Sequence, residues 1–280
     1  MEIDPDRVSG LIREVARRTV LPHFRTLRAA EVREKGPGDL VTVADVACER
    51  ARAEALLAAY PGSAVLGEEA AAADPSIMRR LHGKAPLWVL DPIDGTINFA
   101  HGREGFAVIV ALVIGGRTEA GFIHDPLAGE TVAARHGGGA WSDGVRLRVT
   151  TGTPLAAMVG SAYGPGTGDI AAERALAAGG RVGSIANRLC GGVEYIDIAK
   201  GDIAKRPHHF MLSARSLPWD HAAGVLIVHE AGGVARFLDG SAYDPAIDDG
   251  RVLAAPDEAS WRYLRDVIGT LPQPPTQATT

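Results

Sequence analysis

Cysteine is nearly absent from this chain. Cys48 and Cys190 are the only two, and they stand in no metal-ligand spacing. A disulfide-stapled scaffold and a cysteine zinc site are therefore excluded, and a reduced, cytoplasmic compartment is the simplest setting. Long apolar runs are missing too. None reaches the roughly 18 residues that a membrane-spanning helix needs, so no membrane association is expected. Met1 is followed by Glu2, Asp4 and Asp6, where a secretory signal would carry a basic and then an apolar stretch, so no signal is expected. Positive charge is in deficit. The formal net charge of −5 leaves no electrostatic case for binding a nucleic-acid polymer. No G-x-S-x-G occurs, which excludes a serine hydrolase of the nucleophile-elbow type. No G-x-x-x-x-G-K-[ST] occurs, which excludes a P-loop nucleotide hydrolase.

What is present fits a soluble globular protein. The 280 residues, 46% apolar and 22% charged, allow one large domain or two intimately packed ones with an ample core. Asp4-Pro5 reads as the N-cap and first residue of a helix. Val8, Leu11, Ile12, Val15 and Thr19 recur on it at helical spacing until Pro22 ends or kinks it. Glu31 to Asp39, with several charges, two glycines and Pro37, predicts a mobile loop. Thr42-Val43-Ala44-Asp45 has capping-box form. Val46, Ala53, Leu56, Leu57 and Tyr60 then mark one face of a helix that Tyr60-Pro61-Gly62 stops. A brief strand over Ala64 to Leu66 and a soft loop over Ala70 to Pro75 follow. Phe106 to Ile114, Thr118 to His124 and Thr131 to Ala134 predict an antiparallel meander.

The second half alternates. Strands are expected at Met158 to Ser161, Arg181 to Ile185, Phe210 to Leu212 and Val234 to Leu238. Helices are expected at Asp169 to Ala178, Gly191 to Lys200, Pro218 to Ala231 and Pro256 to Ile268. A soft boundary near residues 148 to 154 divides an α+β N-terminal half, 1–150, from an α/β C-terminal half, 151–270. Residues 271–280 read as a loose tail.

The chain is organised around Trp88-Val89-Leu90-Asp91-Pro92-Ile93-Asp94-Gly95-Thr96-Ile97-Asn98-Phe99. The apolar run reads as a buried strand end that Pro92, lacking an N–H, should stop. Asp91 and Asp94 can converge across one turn while the Ile93 carbonyl points the same way, a hard-oxygen set suited to Mg²⁺. Gly95 permits close backbone approach, and a helical turn starting there offers free N–H groups to a phosphate. Taken alone, Asp94-Gly95 is also an ordinary turn dipeptide. It has company, with Gly67-Glu68-Glu69 upstream and Trp219-Asp220-His221-Ala222-Ala223-Gly224 downstream. Asp220 suits the N-terminus of an apolar helix, whose dipole favours the ionised carboxylate that a metal ligand must be. His208-His209 finds no further ligand at helical or hairpin spacing and reads as a surface pair. His101, His124, His136 and His221 receive no role.

D-P-I-D-G-T-x-N-F, G-E-E and W-D-x-x-A-G, in this order, resemble the inositol monophosphatase family. Fructose-1,6-bisphosphatases and nucleotide 3′-phosphatases are more distant relatives. The resemblance covers roughly residues 5 to 268. It implies a layered α-β-α-β-α sandwich of the sugar-phosphatase type. It also implies Mg²⁺-dependent hydrolysis of a small phosphate monoester with two or three Mg²⁺ ions, inhibition by Li⁺, and a homodimer. Carried over position by position, it makes Glu68, Asp91, Asp94, Asp220 and the Ile93 carbonyl metal ligands, with Asp91 bridging two ions and Glu69 behind Glu68. Asp45 sits close to the metals, and Thr96 with Glu68 orients the attacking water. The Gly95 and Thr96 N–H groups hold the phosphate, and Gly191 and Ser213, with Asp94 and Asp220, face the rest of the substrate. Lys35 falls one residue out of step with a family lysine on the mobile loop and reads as a solvated surface lysine. Fructose-1,6-bisphosphatase activity, 3′-phosphoadenosine-5′-phosphate phosphatase activity and a non-catalytic regulatory role are the alternatives.

Selectivity is where the chain departs from the pattern. In inositol-specific members a glutamate seven residues before the W-D aspartate binds ring hydroxyls, and here that position is Ser213. The stretch from Phe210 to Leu217 contains no acid. The turn Leu189-Cys190-Gly191-Gly192 departs as well. Arg188, Arg206 and Arg215 either place positive charge near the leaving group or are paired structurally. Hydrolysis is therefore expected to be retained, with inositol 1-phosphate not the best substrate. Bisphosphorylated or acidic sugar and nucleotide phosphates are the candidates.

Overall fold

The computed structural model describes residues 1, 3–36, 38–163, 175–202 and 204–269. Most of the helix expected over Asp169 to Ala178, and the 271–280 tail, lie outside the described residues. Helix α1 (Pro5–Thr19) starts as the sequence predicts: the Asp4 carboxylate accepts the Asp6 and Arg7 N–H groups, and Val8, Ile12 and Val15 are buried. The stretch expected to be a mobile loop is instead half of a hairpin, β1 (Val32–Gly36) paired antiparallel with β2 (Asp39–Thr42). Its charged, glycine-rich composition conceals the pairing.

Helix α2 (Val43–Ala59) opens on the expected capping box. Its buried face is not the expected one. Ala44, Asp45, Cys48, Glu49, Arg52 and Leu56 point inward, whereas Val46 and Leu57 are 45% and 41% exposed. The soft loop expected after β3 (Ala64–Gly67) is the short helix α3 (Glu68–Ala73), followed by a 3₁₀ segment over Pro75–His82. An alanine run has the highest helix propensity, and Glu49 caps it from a distance, as described below.

A seven-stranded sheet carries β3, β4 (Leu87–Asp94), β5 (Ala107–Ile114), β6 (Arg117–Asp125), β7 (Glu130–Arg135), β8 (Gly139–Ser142) and β9 (Val145–Arg146), in that order. Only β3 and β4 run parallel. Helix α4 (Thr96–Ala100) lies between β4 and β5. A second sheet of five strands has the order β11-β10-β12-β14-β13, built from β10 (Val159–Tyr163), β11 (Ser184–Ile185), β12 (Phe210–Ser213), β13 (Val234–Phe237) and β14 (Val252–Ala255). Strand β11 is shorter than the strand expected over Arg181 to Ile185. Helices α5 (Gly191–Lys200), α6 (Pro218–Glu230) and α7 (Glu258–Gly269) pack with these sheets.

The layers alternate as expected: α1 and α2, the large sheet, α5 and α6, the small sheet, α7. Trp88, Leu90, Val108, Val110 and Leu112 face α1 and α2, while Val89, Ile109, Ala111 and Val113 face α5 and α6. Both faces of the sheet are dry, which explains why β4 and β5 read as unbroken apolar runs. Helix α6 lies between two sheets and is buried almost all round, from His221 to Val228, as a helix with apolar residues on every face must be.

At Gly224 the two central helices meet so closely that a Cβ would lie 2.0 Å from the Tyr195 ring. Gly224→Ala should therefore destabilise by about 1–3 kcal/mol through overpacking. The melting temperature should fall by about 2–10 °C in scanning calorimetry. An unchanged melting temperature would contradict a close α5–α6 crossing.

Candidate active site

The acidic residues gather where the parallel pair β3 and β4 ends and where α3, α4, α5 and α6 begin. Strand β4 does not stop at Pro92. Asp91 pairs with Ile109 and Asp94 with Ala107, so Pro92 and Ile93 together oppose Val108 alone. This is a bulge, and a proline there forfeits no ladder bond, which is why the strand runs on to Asp94. The buried Arg52 guanidinium donates to the Asp91 carbonyl (2.7 Å) and the Ile109 carbonyl (3.3 Å), clasping both strands where the bulge opens. Gly95 then turns the chain at φ +82°, and a Cβ there would lie 2.9 Å from the Gly105 carbonyl oxygen. Thr96 begins α4. Its hydroxyl lies 2.8 Å from the Ile93 carbonyl and 3.4 Å from Asp45 Oδ1, and can donate to either. The other Asp45 oxygen accepts the Thr42 N–H (2.8 Å) and hydroxyl (2.6 Å).

Glu68 opens α3 directly after Gly67. The Glu49 carboxylate, from the buried face of α2, accepts the Glu69 N–H (2.8 Å) and the Ala70 N–H (2.9 Å), capping α3. A Cβ on Gly67 would lie 2.2 Å from Glu49 Cδ, so the glycine of G-E-E is what admits that cap. Lys35 is not a solvated surface residue. The hairpin carries its ammonium to 2.8 Å from Glu68 and 2.9 Å from Glu69, with Asp39 at 3.6 Å. On α5, the Gly192 N–H donates to Asp94 Oδ2, and Cys190 Sγ lies 3.2 Å from the same oxygen. Gly191 starts that helix, and a Cβ on it would lie 3.8 Å from Asp94 Oδ2. Asp220 lies in the first turn of α6.

The electrostatics follow from desolvation. Burial pushes the Asp91 carboxyl well above the usual range, and Glu68, Asp94 and Asp220 each push it further. Burial likewise raises Glu68 to about 8, against the pull of Lys35 and with the push of Asp220. Burial and Asp94 raise Asp220 to about 7, with Arg215 opposing. Asp94 is raised by burial against the Gly192 N–H, and burial takes Asp45 to about 6 despite its bonds from Thr42. Burial opposes the charge on Lys35, yet Glu68 and Glu69 outweigh it and hold the ammonium above its ordinary range. Asp91 Oδ1 is buried with no hydrogen-bond partner. As the side chains stand, no three His, Cys, Asp or Glu groups among the described residues form a finished ion cage.

The substrate-side residues sort themselves differently. The Ser213 hydroxyl is turned back to donate to the Arg215 carbonyl at 2.8 Å. Arg188 and Arg206 are paired structurally, their Nε atoms 3.0 Å and 3.2 Å from Asp197. Arg215 is exposed, and no ion pair is seen for it among the described residues. His208 and His209 are not a surface pair but are buried where the chain enters β12. His208 Nε2 lies 3.4 Å from Glu194, and the Val159 N–H donates to His209 Nδ1 at 3.0 Å. The small sheet needs these side chains beside β10, which overrides their polarity. Glu194 itself collects the Ser161 and Tyr163 hydroxyls and the Arg188 N–H. Sequence reasoning missed Glu49, Arg52 and Glu194. The first two follow Asp45 at helical spacing, and that shared face was the available signal.

Comparison with known proteins agrees with this layout. The model of the inositol monophosphatase family matches residues 8–271. The Nus factor SuhB of Escherichia coli (strain K12) is 32% identical over 225 residues, covering 79% of this chain and 80% of that protein. A fructose-1,6-bisphosphatase/inositol-1-monophosphatase of Thermotoga maritima is 32% identical over 211 residues, covering 74% and 75%. Among solved structures, inositol monophosphatase-II from Staphylococcus aureus MSSA476 superposes with a TM-score of 0.76 at 25% identity, covering 94% of this chain and 92% of that one. With a family match running through both sheets and relatives aligned over most of their own length, the chain belongs to the inositol monophosphatase family.

Proposed function

We propose that the protein hydrolyses a small phosphate monoester with Mg²⁺ held by Glu68, Asp91, Asp94, Asp220 and the Ile93 carbonyl. The observation that carries this reading is the unpartnered, buried Asp91 oxygen among three further carboxylates whose pKa values are all raised. An all-oxygen, acidic and desolvated donor set fits a hard divalent cation. Bound there, Mg²⁺ would neutralise the phosphate, lower the pKa of a water and stabilise the leaving oxygen.

The chain's own groups do the positioning. Gly192 and Cys190 fix Asp94, and Arg52 fixes the backbone that presents Asp91. The N–H groups of Gly95 and Thr96, at the start of α4, have no intrahelical acceptor and would hold phosphate oxygens. Thr96 and Glu68 hold the attacking water in line with the leaving alkoxide, and the Ile93 carbonyl and Asp45 keep the Thr96 hydroxyl in place. Lys35 must withdraw from Glu68 before that carboxylate is free. The relatives named as a Nus factor suggest a regulatory alternative. The complete set of acidic side chains in this chain favours hydrolysis.

Two outcomes follow. Phosphate release should require Mg²⁺, stop with EDTA, and fall about 100-fold or more in kcat/KM for Asp91→Asn. Release that ignores EDTA, or near wild-type turnover in that variant, would overturn the mechanism. The second outcome concerns stability without metal. The carboxyls of Glu68 (about 8) and Asp220 (about 7) are raised in the folded protein, so it binds more protons than the unfolded chain. Metal-free stability should therefore fall as pH rises from about 5 to about 8. The melting temperature in EDTA should show that decline, and Mg²⁺ should flatten it. A flat or rising profile in EDTA would contradict the clustered carboxyls.

A further inference from the structure

Arg215 stands on the loop between β12 and α6, shortly before Asp220. Its backbone is pinned from both sides. The Ser213 hydroxyl donates to the Arg215 carbonyl at 2.8 Å, and the Ser216 hydroxyl donates to the Ile247 carbonyl at 2.7 Å while accepting the Gly250 N–H at 2.9 Å. From this fixed base the guanidinium reaches solvent, and no ion pair is seen for it among the described residues. Its charge nevertheless acts on the Asp220 carboxyl. The two other arginines of this region, Arg188 and Arg206, are committed to Asp197. No acid lies between Phe210 and Leu217 to accept a polyol hydroxyl, and the Ser213 hydroxyl is already engaged.

We infer that Arg215 reads a second anionic group on the leaving portion of the substrate, so that doubly anionic phosphate esters are preferred. This rests on the phosphatase reading and deepens it. A guanidinium presents a planar fork that matches a phosphate or a carboxylate with two parallel bonds, and because the fork is planar less freedom is lost per bond formed than with an ammonium. A polyol monophosphate offers that fork no charge, which places inositol 1-phosphate among the weaker substrates. If Arg215 served only to lower the Asp220 carboxyl, its removal would affect all substrates alike. If it reads a second anion, its removal changes the ratio between substrates.

The test is kcat/KM in Mg²⁺ for wild type, Arg215→Gln and Arg215→Lys on two matched pairs. One pair is a hexitol 1,6-bisphosphate against the hexitol 1-phosphate. The other is 2-phosphoglycerate against glycerol 2-phosphate, so that a second phosphate and a carboxylate are scored separately. Wild type should prefer the doubly anionic member of one pair by about tenfold or more. Arg215→Gln should bring that ratio to within about threefold, and Arg215→Lys should fall between, having charge without the fork. Higher salt should narrow the wild-type ratio. A ratio near one in wild type, or one that Arg215→Gln leaves intact, overturns this role while the phosphatase reading stands. If no compound releases phosphate, the phosphatase reading fails. Calorimetric binding of the same pairs then decides on Arg215 by the same ratio.

Discussion

Several carboxylates that repel one another share one desolvated junction, and the surrounding fold is arranged to keep them there. Asp91, Asp94, Glu68 and Asp220 come from three separate elements, and burial raises the pKa of each. Left alone, such a cluster opposes folding, because a buried charge without a partner is costly. Lys35, swung in on its hairpin, neutralises one side of it. On the other side, one buried Asp91 oxygen has no hydrogen-bond partner.

What holds the junction together is not local. Arg52 and Glu49 reach it from the face of α2 that is turned inward, the one clasping the β4 bulge and the other capping α3. Helix α6, dry on nearly every side, fixes Asp220 against sheet positions that come from the other half of the chain. Glycines are required at two of these contacts. Gly67 leaves room for Glu49, and Gly95 adopts a left-handed turn against Gly105 and Cys190.

Much of this was legible in the sequence, and the parts that were not share a cause. The long apolar strands, the Asp4 and Thr42 caps and the helix carrying Asp220 follow from local pattern, and the structure agrees with each. Local pattern alone misplaces the buried face of α2, because a face bearing Asp45, Glu49 and Arg52 looks solvated until its distant partners are known. Lys35 and the His208-His209 pair look like surface residues for the same reason. Pro92 looks like a strand end in the sequence, since a bulge that accommodates it depends on the register of β5 rather than on β4 alone. The hairpin of β1 and β2 was hidden by its charges, whose partners lie across the site. Polar residues that point inward are thus the ones that composition and periodicity misassign.

The most direct test is a calorimetric titration of the metal-free protein with Mg²⁺ near pH 7, repeated in buffers of different ionisation heat. With Glu68 at about 8 and Asp220 at about 7, these carboxyls are partly protonated in the metal-free protein. Binding should therefore release about one proton or more per chain. Binding without proton release, or no binding at millimolar Mg²⁺, would contradict a shared, desolvated carboxylate site.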